Sequence, residues 1–351
     1  MFRIEMLPAE RGDCLWVSYG TSTHPHHLLI DGGPSQTISS LVPALEKRIR
    51  ALPGTTDRVE LAVETHIDAD HIQGLVSLLS DPARVPLFKD IWMNGYRHVA
   101  PVSLGATDAE MLTASLLPHP DRWNAAFEGN AVVVPDDGPL PVVTLAGGMR
   151  LTLLTPTRAN LNALYKGWQQ VMGAMAGKGT STPADWRRGD ALGAFDPLDW
   201  ADAPFTEDRS LPNRSGISFI AEFGGRRALF LADVPPKGIL AAFDRLGQPI
   251  QHFDAVKLSH HASRNNTNIA LCQRIVAPLW LVSTNGARFK HPHPEALARV
   301  VVSQPEPPTF VLNYVTPFVT DLIAGAGPRY QVQLPERRAD GQYAEGVTVD
   351  L

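Results

Sequence analysis

Short apolar runs, broken by glycine, proline and polar turns, recur along the chain and are separated in several places by amphipathic segments. Runs of this length are typical of buried strands, and the amphipathic segments have helical periodicity. The predicted strands are 2–7, 14–19, 28–30, 59–64, 87–93, 132–134, 142–145, 151–154, 217–223, 227–231, 253–258 and 279–283, with further short strands in the tail from 309 onwards. The predicted helices are 38–52, 72–79, 161–175, 237–246, 268–276 and 295–302. Strands that alternate with helices predict an α/β fold.

The alternation stops between residues 158 and 212, where a helical stretch gives way to a segment rich in Gly, Pro, Trp, Asp and Arg. Long irregular stretches inside compact domains are usually functional or disordered. We therefore predict a single domain over 1–351 that carries an insertion at 158–212. The insertion either covers part of an active site or is a surface excursion whose tryptophans pack against the scaffold. Its side chains available to a substrate are Trp186, Arg187, Arg188, Trp200 and Phe205.

The densest group of reactive side chains is the stretch Thr65-His66-Ile67-Asp68-Ala69-Asp70-His71, directly after an apolar run. Four such side chains in six residues would repel one another and be poorly solvated unless a cation held them. Two carboxylates and two imidazoles suit zinc, manganese or iron. The alternative is a helix N-terminus capped by acidic residues, but a cap needs one carboxylate and no histidine pair.

Other predicted strands end in the same residue types. Asp31 follows the strand 28–30 and precedes two glycines, Asp233 follows 227–231, and His260 and His261 follow 253–258. Open α/β sheets place their ligand sites at the carboxyl ends of strands. The joint occurrence of these residues predicts a metal site at that edge. Asp31 either orients a ligand histidine from outside the site or caps its own turn.

Composition and charge narrow the class of protein. The chain has 351 residues, 44% of them hydrophobic, and a net charge of -5, as expected of an ordinary soluble globular protein. Two cysteines, Cys14 and Cys272, exclude a disulfide framework and fit a reducing compartment. No apolar run approaches the roughly 20 residues that cross a bilayer, and no secretion signal is visible. We expect a cytoplasmic protein without a membrane partner.

The order of these motifs resembles the metallo-β-lactamase superfamily over about residues 1 to 302. That family's usual signature is HxHxDH, and here Asp68 replaces the second histidine. This departure, together with His260-His261-Ala262-Ser263 and the segment 213–218, is similar to the ComEC-like branch, whose best-known members degrade a DNA strand during uptake. Members embedded in membranes carry transmembrane helices that this sequence lacks. The resemblance implies a four-layer αββα sandwich with a dinuclear metal site at one edge of its two sheets.

The resemblance also implies a role for each site residue. The first metal ion would be held by His66 and Asp68, with Asn213 or a nearby group completing its shell. The second would be held by Asp70, His71 and His260, with Asp233 bridging the two ions and Asp31 in support. The carboxylate of Asp68 makes the first site richer in oxygen, which favours manganese relative to zinc. The predicted cofactor is two divalent ions, zinc or manganese.

The expected function is metal-dependent hydrolysis in which two cations activate a shared water. The leading substrate hypothesis is a phosphodiester in a nucleic acid, single-stranded DNA or RNA included, or in a nucleotide. The alternatives are a carboxylic ester, lactone or β-lactam, and a degenerate metal-binding module that only recognises a ligand.

Three residues are predicted to be catalytic: Asp70, His261 and His293. Asp70 would hold the attacking water. His261 would protonate the leaving oxygen or bind phosphate, unless it is a packed histidine that donates to a backbone carbonyl. His293, with His291, either reaches the substrate or shapes its loop. Asn266 is interpreted as a turn or cap residue.

Overall fold

The computed structural model describes residues 1–95, 98, 108–176 and 195–351. The strands in these residues are β1 (Phe2–Met6), β2 (Leu15–Gly20), β3 (Pro25–Ile30), β4 (Leu61–Val63), β5 (Ile91–Trp92), β6 (Val142–Thr144), β7 (Arg150–Thr155), β8 (Ser218–Phe223), β9 (Arg226–Phe230), β10 (Gln251–His252), β11 (Ala255–Lys257), β12 (Ile275–Val276), β13 (Leu279–Val282), β14 (Thr309–Leu312), β15 (Gln331–Gln333) and β16 (Val347–Asp350). The helices are α1 (Ile38–Ala51), α2 (Ala69–Leu79), α3 (Asp108–Leu116), α4 (Arg158–Ala176), α5 (Leu211–Arg214), α6 (Pro236–Arg245), α7 (Ile269–Cys272), α8 (Pro294–Ser303) and α9 (Pro317–Ala324).

Two large sheets organise the described part of the chain. The first has the strand order β16-β1-β2-β3-β4-β5, antiparallel from β16 to β3 and parallel from β3 to β5. The second has the order β15-β14-β13-β11-β9-β8-β7-β6, in which β9, β11, β13, β14 and β15 run parallel and the other pairs are antiparallel. Strands β10 and β12 form a separate parallel pair.

The sheets pack face to face, and helices cover their outer faces. Alternate residues of a strand point to opposite faces, so Leu28 and Ile30 of β3 lie in the core between the sheets while Leu29 packs with α1, α2 and α3. On the far side, α6 and α8 contribute Ile239 and Leu297 to the core of the eight-stranded sheet. Each such buried side chain stabilises the fold by about 1.5–3 kcal/mol. The predicted four-layer αββα sandwich is confirmed.

Several predicted elements differ from those observed. Residues 132–134 do not form a strand, because the backbone of Val132 is hydrogen-bonded at both its N–H and its carbonyl by the side chain of Asn94. The helix predicted at 268–276 ends at Cys272, and Ile275–Val276 is a strand. The tail contains helix α9 as well as strands. Short apolar runs fit a strand or a buried helix equally well by periodicity.

The structure describes residues 158–176 and 195–212 of the predicted insertion. Its first portion is helix α4, whose Leu164 and Trp168 pack in the same core as α1 and α2. Trp200 packs against the larger hydrophobic core, and Phe205 lies under the guanidinium of Arg299, 5.5 Å from the ring centre. Trp186, Arg187 and Arg188 lie outside the described residues, so the hypothesis that they contact a substrate stays a prediction. Within the described ranges, every helix is too short or too polar to cross a bilayer.

The topology brings the predicted strand ends to one edge. Strands β3 and β4 pair in parallel in one sheet, and β9 and β11 pair in parallel in the other. The N–H of His260 donates to the carbonyl of Ala232 at 2.9 Å, which ties the end of β11 to the end of β9. The N–H of Ile217 donates to the carbonyl of Thr65 at 2.8 Å and links the two sheets at the same edge. Residues that follow these four strands therefore meet.

Candidate metal centre

Two glycines let the loop after β3 pack directly against helix α2, and this contact places Asp31 beside His71. A Cβ on Gly74 would lie 1.8 Å from the backbone oxygen of Gly32, so a larger residue would force the two segments apart. Asp31 has a φ of 59°, and its Oδ2 lies 2.7 Å from Nδ1 of His71. Of the two roles predicted for Asp31, this geometry supports the orientation of a ligand histidine.

Asp31 also fixes Thr65, the residue that precedes His66. Thr65 donates its backbone N–H to Asp31 Oδ1 and its hydroxyl to Asp31 Oδ2, both at 2.8 Å. Because the hydroxyl proton is engaged, the hydroxyl oxygen accepts from Nδ1 of His66 at 3.0 Å. One buried carboxylate thus orients both imidazoles of the motif from outside the cluster.

Four histidines share one arrangement, in which Nδ1 faces an oxygen and Nε2 faces the centre of the cluster. Nδ1 of His260 lies 3.0 Å from Asn266 Oδ1, and Nδ1 of His261 lies 2.7 Å from the carbonyl oxygen of Ser283. A protonated Nδ1 leaves Nε2 as an acceptor, the form that binds metal ions. Of these four histidines, His66, His71 and His261 have a buried Nε2 without a hydrogen-bond partner in the described ranges. Such orphaned atoms are costly unless a ligand satisfies them.

Asp233 lies between these rings. Its Oδ2 is 3.4 Å from Nε2 of His71, 3.6 Å from Nε2 of His66 and 3.7 Å from Nε2 of His260. These separations exceed those of a well-formed hydrogen bond. Its Oδ1 is buried and has no hydrogen-bond partner in the part of the chain that is described. The donor atoms of His66, His71 and Asp233 lie within 4.8 Å of one another, as donors around a cation do.

A second group of donors consists of Asp70, His71 and His261, again within 4.8 Å of one another. Nε2 of His261 lies 3.8 Å from Asp70 Oδ2. Asp68 occupies the N-cap position of α2, but its side chain makes no capping hydrogen bond, and its Oδ2 lies 3.9 Å from Nε2 of His66. Asp68 therefore faces the cluster and does not serve as a helix cap.

The two histidines after β11 are placed differently from what the resemblance implies. Residues 260–262 all have left-handed φ values, 48°, 55° and 63°, and this turn sends the two rings to different sides. His260 faces Asp233, whereas His261 faces Asp70. The resemblance puts His260 beside Asp70 and makes His261 a proton donor. Residues other than glycine rarely adopt this conformation, so the pattern of the sequence does not predict the turn.

The contacts around His260 involve one residue that the sequence did not single out, Asp208, and two to which it gave other roles. Asn266, interpreted as a turn residue, instead accepts from His260 and donates from Nδ2 to Asp208 Oδ2 at 3.0 Å and to the Asp233 carbonyl at 2.9 Å. Asn213 donates from Nδ2 to Asp208 Oδ2 at 2.6 Å. Its Oδ1 is buried without a hydrogen-bond partner among the described residues, and this oxygen is the atom available to an ion. Asp208 lies in an irregular stretch with no motif around it.

A buried ion pair lies behind His261. Nζ of Lys257 donates to Asp13 Oδ2 at 2.7 Å and to the carbonyl of Leu258 at 3.1 Å. The two charged side chains are 1% and 2% exposed. Asp13 Oδ1 lies 3.4 Å from Nδ1 of His261. The pair joins the loop before β2 to strand β11, and the signal for it in the sequence is a lysine inside an apolar strand.

The pKa values of the cluster residues are strongly shifted, which indicates that these residues do not neutralise one another's charges. Burial and repulsion by Asp70 and Asp233 raise the pKa of Asp68 to about 7. Burial and repulsion by His71 lower the pKa of His66 to about 3. For His260, burial lowers the pKa, but Asp233, Asp208 and Asp70 together outweigh it and raise the pKa to about 9. Nitrogen and oxygen donors in this proportion fit zinc or manganese, so the residues present suit the predicted ions.

The remaining predicted histidines lie in the loop before α8. The buried ring of His291 is 5.3 Å from that of His260 and 6.0 Å from that of His261, centre to centre. His293 packs against His291 at 4.6 Å, and its Nδ1 accepts from the backbone N–H of Arg264 at 3.2 Å. Burial and the charge of Arg264 lower the pKa of His293 to about 4. The ring that touches the histidines of the cluster is therefore that of His291, and His293 lies behind it.

Replacing Asp31 with asparagine should weaken metal binding by about 10–100-fold. An amide offers one acceptor oxygen in place of two, so it cannot serve the His71 ring and both donors of Thr65 together. Competition with a chromogenic chelator measures the affinity. Asp244→Asn, which alters an exposed carboxylate paired with Arg274, is the matched control. An affinity equal to that of the control would contradict the orienting role.

No protein-family model matches this sequence, and no curated protein matches it either. Solved structures with a similar fold include the metallo-beta-lactamase fold protein YhfI from Bacillus subtilis, with 10% identity, 100% of both chains covered and a TM-score of 0.44. Zn(2+)-bound PqqB from Methylobacterium extorquens has 13% identity, 100% of both chains covered and a TM-score of 0.42. Human tRNase Z, short form, has 11% identity over 100% of this chain and 99% of that chain, with a TM-score of 0.39. At such identities and TM-scores, the chemistry of the site rests on its own side chains.

Proposed function

We propose that this protein is a hydrolase that uses two divalent metal ions and acts on phosphodiesters of a nucleic acid or nucleotide. The observation that carries this proposal is the set of four histidines whose Nδ1 atoms are anchored on oxygens and whose Nε2 atoms face buried carboxylates. Such a set serves no purpose as hydrogen-bonded packing, because three of the Nε2 atoms lack partners among the described residues.

The observed positions suggest how the donors divide between two ions. One ion would be held by His66, His260 and Asp233, with Asp68 and the amide oxygen of Asn213 as further ligands. The other would be held by Asp70, His71 and His261, with Asp233 in position to bridge the two. Bound there, two divalent cations would supply Lewis acidity and a hydroxide at neutral pH.

The exposed fraction of each side chain indicates which role it can have in the reaction. Asp68 and Asp70 have side chains 27% and 17% exposed, so these carboxylates are placed to orient an attacking water. Asp233 is 2% exposed and lies among three histidine rings, where it is shielded from water. His261 fits a ligand role because its Nδ1 is engaged by Ser283 and its Nε2 faces Asp70. His293 stays a prediction as a catalytic residue.

The choice of phosphodiesters rests on the donor set and on the motif. Carboxylates at Asp68, Asp70 and Asp233 favour a harder ion such as manganese. Two-metal sites clamp the attacking and leaving oxygens of in-line displacement at phosphorus. The HxDxDH pattern also resembles that of the ComEC-like branch, which supports a nucleic acid or nucleotide as substrate.

The test is metal-dependent turnover on a substrate panel. The purified protein is assayed for metal content and then, with manganese or zinc, on single-stranded DNA, RNA, cyclic dinucleotides and a generic phosphodiester. We expect hydrolysis of at least one, and its loss in Asp70→Ala and His71→Ala while the circular dichroism spectrum of the folded protein is retained. His252→Ala and Asp244→Ala, on exposed residues elsewhere, are the matched controls and should keep the activity.

Two other outcomes of the same substrate panel would contradict the proposal. Turnover of nitrocefin or a lactone with none of the phosphodiesters would assign the protein to carboxyl chemistry. Bound metal without turnover on any substrate would favour the ligand-recognition module. In either case the phosphodiesterase proposal is wrong.

A further inference from the structure

Asp208 lies near the end of the predicted insertion and is fixed there by hydrogen bonds to its neighbours. Its Oδ1 accepts from the backbone N–H of Ser210 at 2.8 Å, and its own backbone N–H donates to the carbonyl of Asn265 at 3.0 Å. Its Oδ2 accepts from two side-chain amides, that of Asn213 at 2.6 Å and that of Asn266 at 3.0 Å. One oxygen of a firmly held carboxylate therefore meets both amides that surround His260.

These contacts decide which end of the Asn266 amide faces His260. Its Nδ2 donates to two acceptors, Asp208 Oδ2 and the carbonyl oxygen of Asp233 at 2.9 Å. A carboxylate and a carbonyl have no proton to donate, so a reversed amide would place its oxygen against two other oxygens. Oδ1 of Asn266 is thus directed at Nδ1 of His260, 3.0 Å away. An imidazole that donates from Nδ1 presents Nε2 as the atom that binds a metal ion.

Asp208 orients the amide of Asn213 in the same way. Because Nδ2 of Asn213 donates to Asp208 Oδ2, its Oδ1 is turned away from the carboxylate. That oxygen is buried and has no hydrogen-bond partner among the residues described. A reversed amide would replace this free acceptor with N–H donors, which cannot bind a cation.

The position of Asp208 fits an orienting role and not a ligand role. Its Oδ2 lies 3.4 Å from Nδ1 of His260, whereas Asp233 lies on the opposite side of the ring, 3.7 Å from Nε2. Both oxygens of Asp208 already accept hydrogen bonds from protein donors. Asp208 therefore stands behind His260, as Asp31 stands behind His71.

We propose that Asp208 is a positioning residue that sets the ligand atoms of one metal ion through the amides of Asn213 and Asn266. The first amide offers its oxygen to the ion, and the second anchors His260 with its Nε2 towards the ion. The proposal rests on the two-metal site of the proposed function but not on the choice of substrate. It also gives the end of the predicted insertion a part in the metal centre.

The test measures metal affinity and not hydrolysis. Zinc is titrated into the wild type and into Asp208→Asn in competition with a chromogenic chelator, which yields two dissociation constants. An amide at 208 offers an N–H to the oxygen of either neighbouring amide, so both can reverse. We expect one constant to rise by about 10–100-fold, as on loss of an orienting hydrogen bond, and the other to stay close to that of the wild type. Asp202→Asn, the same change at an exposed position in the same segment, should alter neither constant.

Two further measurements separate positioning from a general loss of structure. In a double-mutant cycle, Asp208→Asn should weaken the ion less when Asn266→Ala is already present, because members of one hydrogen-bond network are not additive. In proton NMR of the zinc-loaded protein, Nδ1–H of His260 should give a slowly exchanging resonance that is kept in Asp202→Asn and lost or shifted in Asp208→Asn. Asn213→Ala leaves Asp208 intact and should weaken the same ion.

The outcomes distinguish this proposal from the proposed function. Equal weakening of both ions, additive effects in the cycle, or constants that Asp208→Asn and Asn213→Ala leave unchanged would overturn the positioning role, even in a protein that hydrolyses phosphodiesters. Selective weakening of one ion, in a protein without turnover on any substrate of the panel, would support the positioning role and contradict the hydrolase.

Discussion

Replacing Lys257 with methionine should lower the free energy of unfolding by about 3–5 kcal/mol. Methionine has a similar volume but leaves the carboxylate of Asp13 without its partner at 2.7 Å, in a position where both side chains are almost fully buried. Breaking a buried pair by removing one member leaves an uncompensated charge in a low dielectric. Denaturant unfolding of the metal-free protein followed by circular dichroism measures the change.

Two further variants test whether the loss of stability in Lys257→Met comes from the broken ion pair. Lys89→Met removes an exposed ammonium that lies 3.4 Å from Glu60, and it should cost at most about 1 kcal/mol. The double variant Asp13→Leu with Lys257→Met removes both charges and should recover most of the lost stability. A single variant as stable as Lys89→Met would show that the pair does not hold the two sheets together.

The same pair gives the wild type a defined response to acid. Burial alone would raise the pKa of Asp13, but attraction by Lys257 and His261 outweighs it and holds the pKa below its usual range. A carboxyl group with a depressed folded-state pKa stabilises the fold above its unfolded pKa, about 3.9. That contribution is lost as the pH falls towards the folded-state pKa. The double variant should lack this part of the acid destabilisation.

The sequence predicts the cluster well because its residues follow a positional rule. His66, Asp70 and His71 stand after one buried strand, and Asp233 stands after another. The carboxyl ends of parallel strands share an edge of a sheet, so apolar runs followed by acidic or histidine residues suffice to bring them together. The apolar runs by themselves predict an α/β fold with strands buried on both faces, whereas the four-layer arrangement is implied by the family resemblance.

The parts that the sequence does not predict depend on contacts between distant segments. Asp13 and Lys257 are 244 positions apart, and no local pattern relates them. Asp208 reaches Asn266 from an irregular stretch, so neither periodicity nor a motif marks it. The order of His260 and His261 around the cluster depends on a left-handed turn that their neighbours impose. Packing overrides local preference at these positions.

Replacing Asp233 with asparagine should remove at least one metal ion and reduce hydrolysis by more than the 10–100-fold typical of a lost outer hydrogen bond. The amide keeps the shape of the side chain but loses the charge that faces three imidazole nitrogens at 3.4, 3.6 and 3.7 Å. An amide is a weaker ligand for a divalent ion than a carboxylate, and it cannot bridge two of them with a negative charge. Metal content by mass spectrometry and turnover on the phosphodiester panel measure the two effects.

The control for this substitution is Asp244→Asn, which makes the same chemical change at an exposed ion pair. It should retain both the metal ions and the activity. Because the Asp233 carboxylate faces three histidines that follow two separate strands, its loss tests the whole cluster and not a single ligand. If Asp233→Asn keeps its full complement of metal, then the ions bind elsewhere, and the orphaned Nε2 atoms of His66 and His71 need another explanation.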